Sequence, residues 1–181
     1  MAEPQAEGHK AEAEVDVDGY KTEIRRTFAL VEPISVQAAG IFYPTLWEVD
    51  TSTKPLFKDT DMDKQGEKLM KTLGVAVAML NKMDTLKPIL ENLGRKHVDY
   101  GVTPEMYPSV GKALLITFEK GLGEECTPLT TKAWAWVFGI ISSICIAAAS
   151  EVKPEEKPEE KLEEKLEEKS EEKPEEKPEE K

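Results

Sequence analysis

Cysteine is scarce in this sequence: Cys126 and Cys145 are the only two among 181 residues. With no C-x-x-C spacing, neither a zinc site nor a disulfide framework is indicated, and two reduced thiols in a cytoplasmic protein are the expectation. Histidine is equally scarce, with His9 and His97 alone, so a multi-histidine metal cage within one chain is excluded. No G-x-G-x-x-G element is present, and any redox turnover is expected to need a separate reductase. Basic excess is lacking as well. The formal charge is −12, of which residues 1–18 carry −5 and residues 153–181 carry −6. The stretch between them is close to neutral, so counterion release on a phosphate backbone has nothing to drive it and nucleic acid is not an expected partner. The N-terminus has neither the basic start nor the apolar run of a secretory signal, and export is not expected.

Long apolar runs are nearly absent too. One exception, Ala133 to Ala149, is almost unbroken but is interrupted by Ser142 and Ser143. It falls short of the ~20 residues that span a bilayer, so a buried core helix is expected in preference to a membrane segment.

What is present is one domain between two charged ends. The readings are an acidic disordered arm over residues 1–18, a folded domain over 19–150 and a disordered tail over 151–181. From Lys153 the unit Lys-x-Glu-Glu repeats seven times and closes on Lys181. A four-residue period stacks Glu over Glu and Lys over Lys, and the prolines at 154, 158, 174 and 178 remove helix donors, so the tail reads as a solvated spacer.

Inside the domain the periodicity is helical, with no convincing strand alternation, and the fold class is all-α. A first helix is expected over Lys21 to Val31. A second begins near Ser35 as N-cap and carries Ile41, Phe42, Leu46 and Trp47. A turn-rich piece, Asp50 to Phe57, follows. A long helix from about Asp63 to Lys82 sets Gln65, Leu69, Leu73 and Val77 on one face. A short helix from about Thr85, with Pro88 near its start, aligns Ile89, Leu93 and His97 and ends at Gly101. Helices over Val110 to Leu122 and Leu129 to Ser150 complete the chain.

A lone histidine on an apolar helix face is more often a satisfied core residue than a ligand. The segment Leu93-Gly94-Arg95-Lys96-His97 followed by Tyr100-Gly101-Val102, however, resembles the proximal segment of neuroglobins and bacterial single-domain haemoglobins of the globin family. Other positions fall into the same register. Pro55-Leu56-Phe57 is similar to the corner whose Phe stacks on the haem, and Phe42-Tyr43 resembles the distal Phe-Tyr pair of bacterial haemoglobins. Gln65 lies 32 residues before His97, the spacing of the distal ligand-contacting residue. Tyr107-Pro108 through Leu115, and Ala133-Trp134 through Phe138-Gly139, look like the last two globin helices.

The resemblance implies a globin fold, a three-over-three helical sandwich around a haem b, with His97 on the iron. It assigns Tyr43 and Gln65 to the distal ligand side and Leu69 to the cap of the ligand cavity. Lys68 would reach a haem propionate, and Phe57, Leu93, Val102, Tyr107 and Phe138 would contact the haem. A ligand that draws partial negative charge would be held by the Tyr43 hydroxyl and Gln65 amide, which implies slow oxygen release. Pro44, directly after Tyr43, is expected to bias Tyr43 away from helical dihedrals and so to disturb the aim of its hydroxyl. Because His9 lies in the acidic arm, the sixth iron position is expected to be open or water-occupied.

The implied function is reversible binding of dioxygen, nitric oxide or carbon monoxide for storage, delivery or scavenging, by a monomer or homodimer. The alternatives are a nitric oxide dioxygenase or peroxidase-like enzyme fed by a separate reductase, and a gas sensor that presents its tail to a partner.

Overall fold

The computed structural model describes residues 16–152, so most of the arm and tail lies outside the described residues. Six α-helices follow one another: α1 (Val17–Val31), α2 (Ser35–Val49), α3 (Met62–Ala78), α4 (Met83–Asp99), α5 (Tyr107–Leu122) and α6 (Pro128–Ser150). Short 3-10 segments join them at Glu32–Ile34, Thr51–Phe57, Pro104–Met106 and Gly123–Glu125. No strand occurs among the described residues.

Local chemistry sets most helix starts. Asp16 caps α1 by accepting from the Gly19 amide at 2.8 Å, so the helix begins inside the stretch read from sequence as disordered arm. Asp61 caps α3 through the Lys64 amide at 3.2 Å. Thr127 and Thr130 form a reciprocal capping box at α6. Ser35 is not a cap, contrary to expectation: the Glu32–Ile34 turn runs straight into α2, whose N-cap is Ile34 with no side-chain bond. Pro88 also lies deeper than expected, because α4 starts at Met83.

Pro44 does not break α2, which continues through it to Val49. Proline withholds only its own amide, so the Gly40 carbonyl loses one helix bond while Tyr43 stays helical. The expected disturbance of Tyr43 is not seen.

The core gathers Ile24, Phe28 and Val31 of α1, Phe42, Tyr43 and Leu46 of α2, Leu73 and Val77 of α3, Leu114 and Phe118 of α5, and Trp134 and Val137 of α6. A second cluster, Leu86, Leu90, Tyr107 and Cys145, lies beneath α4. On α4 the buried stripe is Leu86, Leu90 and Gly94, whereas Ile89, expected to be inward, is 41% exposed.

A polar lock ties α1 to the start of α6. Glu23, buried, accepts two bonds from Arg26 at 2.9 Å each and one from the Thr130 hydroxyl. Arg26 extends to the Glu125 carboxylate at 2.6 Å and to its carbonyl at 2.9 Å. The Trp134 indole donates to the Thr27 hydroxyl at 2.9 Å. Hydrogen bonds from Arg26 hold the Glu23 carboxyl below its ordinary range, against the opposing effect of burial and with help from Thr130.

Helix α6 spans 23 residues and is apolar enough, by length and composition alone, to cross a membrane. It packs by one face only, with Thr130, Ala133, Trp134, Val137, Cys145 and Ala148 buried, and 28% of its most apolar stretch is inside the fold. It contributes one buried face to the core and leaves the rest of its surface outside.

Two outcomes follow. A depressed folded-state pKa at Glu23 contributes stability that is complete above the ordinary carboxyl value of 4.5 and is lost as pH falls through the folded value. Glu23→Gln should therefore flatten the acid limb of the thermal-stability profile below pH 4.5. At Gly94, a Cβ would lie 2.7 Å from the Cys145 Cα and 2.8 Å from its carbonyl carbon. Gly94→Ala is expected to lower stability by about 1–3 kcal/mol, read from the urea midpoint.

Candidate functional site

Helices α3 and α4 leave their shared turn on divergent paths. Helix α3 packs on α2 and α4 packs on α6, and the two do not pack along each other. The cleft that opens where they diverge has on its α3 side the cluster holding Tyr43, Phe57 and Leu69, and on its α4 side the cluster holding Leu93, Val102 and Tyr107.

On one wall, α4 is pressed onto α6. Gly94 meets the Cys145 backbone without a side chain between them, and the Cys145 thiol, 1% exposed, donates to the Leu90 carbonyl at 3.3 Å. Burial pushes that thiol up to about 11, so it stays protonated. With Leu86, Leu90 and Gly94 spent on α6, the half-buried Leu93 and His97 fall on the adjoining flank.

His97 Nδ1 lies 2.7 Å from the Leu93 carbonyl. A carbonyl only accepts, so Nδ1 carries the hydrogen and Nε2 of the neutral ring presents its lone pair. The end of α4 is fixed next to it. Gly101, at φ +80, lets its amide reach the Val98 carbonyl and the Val102 amide reach the His97 carbonyl, both at 2.9 Å. This turn places half-buried Val102 in the α4 cluster. Tyr107 stands beside the imidazole with ring centroids 6.2 Å apart. Its hydroxyl is shielded from solvent with no partner among the described residues, and burial, then the neighbouring Cys145, pushes it up to about 12.

The opposite wall is aromatic. Tyr43, 5% exposed, sits edge-on to Phe57 at 5.3 Å and donates its hydroxyl hydrogen to the Gln65 backbone carbonyl at 3.3 Å. Burial raises its pKa to about 12, against the lowering effect of that bond. Gln65 and Leu69 are half-buried on α3, while Lys68 is exposed.

The structure thus gathers Tyr43, Gln65 and Phe57 at one side, and Leu93, His97, Val102 and Tyr107 at the other. Phe138 covers Gly111 with its ring, where a Cβ would come within 2.7 Å, and together with Tyr107 it lines a groove of about 250 Å³ between α5 and α6. A residue not assigned from sequence joins the aromatic wall: Trp47 packs 6.3 Å from Tyr43 and 6.2 Å from Phe57. Its place one turn after Tyr43 on α2 was the available signal.

These residues fit the tetrapyrrole that the resemblance implies. Among the described residues no group of three or more His, Cys, Asp or Glu could hold a metal ion, so an iron here must bring most of its own ligands. A single imidazole with a free lone pair, apolar side chains on both walls and two solvent-shielded donors without partners meet that requirement.

Residues 42–145 match the family model described as Globin. The flavohemoprotein of Oceanobacillus iheyensis is 33% identical over 116 residues, 63% of this chain and 29% of that protein. The flavohemoprotein of Bacillus subtilis is 27% identical over 131 residues, 71% of this chain and 33% of that protein. This chain therefore spans about a third of the length of these curated relatives. Among solved structures, an engineered carbene transferase from Rhodothermus marinus superposes with a TM-score of 0.67 at 19% identity, covering 74% of this chain and 93% of that one. A bacterial globin from Campylobacter jejuni gives 0.66 at 20% identity, covering 74% and 96%.

Proposed function

This chain belongs to the globin family, and on that footing we propose that it is a cytoplasmic protein that binds dioxygen reversibly on haem b, with nitric oxide and carbon monoxide as competing ligands. Once bound, the haem supplies an iron with a coordination position for a diatomic gas. His97 would hold that iron through Nε2, and Leu93, Val102, Tyr107 and Phe57 would contact the haem. Gln65, Tyr43 and Leu69 would serve the bound gas, and exposed Lys68 would be available to a propionate. Leu93 and Lys96 stand where a C-x-x-C-H attachment motif ending at His97 would have its two cysteines, which supports a non-covalent haem b.

The observation that carries the reading is the His97 to Leu93 bond. It fixes the imidazole tautomer before any ligand arrives. It also favours binding over peroxide cleavage. A carboxylate on Nδ1 would load the imidazole with electron density and favour O–O scission, whereas a neutral carbonyl loads it far less. Among the described residues no Asp or Glu is bonded to His97. The donors around the ligand side are uncharged, so they stabilise a polarised ligand without supplying protons to it.

Two measurements test this. The purified chain should take up haem with a Soret band and a five-coordinate or water-ligated ferrous spectrum. His97→Gly should lose that band and regain it on addition of free imidazole; an unaltered spectrum in the variant would remove His97 as ligand. In the second, the oxygenated protein is mixed with nitric oxide in the presence of a ferredoxin-type reductase. About one nitrate per haem followed by arrest is the outcome expected of a binder, and sustained nitrate formation establishes the dioxygenase instead.

A further inference from the structure

We propose that Trp47 is a ligand-contacting residue of this site, its indole N–H donating a hydrogen bond to a diatomic gas held on the α2 and α3 side of the cleft. The inference rests on the haem-globin reading and adds to it a residue that neither the sequence pattern nor the family resemblance picked out.

The reasoning begins with where the site's hydrogens go. Tyr43 was expected to offer its hydroxyl hydrogen to the ligand, but that hydrogen points to the Gln65 carbonyl at 3.3 Å. Trp134, the other buried indole, is satisfied by the Thr27 hydroxyl at 2.9 Å. Trp47 Nε1, in contrast, is shielded from solvent and meets no acceptor among the described residues. Buried donors left without a partner are rare because they destabilise the fold, and each calls for an explanation such as a ligand.

The placement of Trp47 says which ligand. Residues 43 and 47 lie one turn apart on α2 and so share a face. Their rings are 6.3 Å apart, and both abut Phe57, at 5.3 Å and 6.2 Å. The Lys54 ammonium lies over the indole ring, 5.8 Å from its centroid. An indole nitrogen donates and never accepts, so its partner must carry a lone pair, and no negatively charged side chain stands in this aromatic group to repel or replace one. A neutral diatomic with electron density drawn to its outer atom meets these demands. A cation or a hydrocarbon does not.

The test uses the full chain reconstituted with haem. In the carbon monoxide complex, Trp47→Phe should move the C–O stretch to higher wavenumber, because a donor to the ligand oxygen is gone. Oxygen dissociation should quicken by about tenfold, the loss of one hydrogen bond. Should Trp47→Phe fail to fold, site-specific incorporation of benzothienylalanine at position 47 keeps the bicyclic shape and deletes only the N–H; the same two shifts are expected. A protein that takes up haem but shows unchanged stretch and unchanged dissociation in whichever variant folds overturns the assignment of Trp47 and leaves the globin reading intact. Failure of the unaltered chain to take up haem sinks the globin reading itself.

Discussion

The hydrogen bond from His97 Nδ1 to the Leu93 carbonyl, 2.7 Å long, is the interaction on which the rest of the structure is arranged. It lies within one turn of α4, so it needs no distant partner to form. What it needs is a helix held still, with its flank turned to the cleft. Three features do this. Leu86 and Leu90, each 1% exposed, bury the helix's inner stripe. Gly94 allows backbone contact with Cys145 on α6. The Gly101 turn fixes the last two carbonyls. Position 94 is constrained by shape rather than by chemistry, since any side chain there would lift the imidazole's helix away from its support.

A matching contact sets the other wall. At Gly66 an added Cβ would come 2.7 Å from the Ala39 Cβ, so α3 crosses α2 at close range just beside Gln65. That closeness is what brings the Gln65 carbonyl to the Tyr43 hydroxyl. The cleft is therefore bounded by two tight crossings, α4 on α6 and α3 on α2, each depending on a missing side chain. Between them the chain is free to diverge, and the Glu23, Arg26 and Thr130 lock holds α1 and α6 together behind the cleft.

Much of this was legible in the sequence. Helical periodicity gave the six helices, and the globin resemblance singled out Gln65 on α3 and His97 on α4. Errors arose where tertiary contact overruled a local signal. Ser35 has the chemistry of a cap, but the preceding turn is already helical in sense and leaves no start to cap. Ile89 shares a four-residue step with Leu93 and His97, yet α6 lies under Leu86 and Leu90, so Ile89 faces outward. Trp47 could be read only as one apolar residue among several, because an unpaired donor is defined by what surrounds it in space and not by its neighbours in the chain.

The electrostatics of the cleft follow from the same burial. Tyr43 and Tyr107 are both pushed up to about 12, and Cys145 to about 11, chiefly by desolvation. Each therefore keeps its proton throughout the neutral range, and Gln65 and Trp47 carry no titratable proton there. Burial that makes these groups poor acids makes them steady donors, because a donor that does not ionise presents the same dipole at any physiological pH. Catalysis that consumes protons would require the opposite: a group poised near neutrality within reach of the ligand. The uncharged character of the ligand wall and the neutral carbonyl behind His97 both support the proposed binding of a polarised gas, and both bear against chemistry that consumes protons rather than against oxygen transfer to nitric oxide.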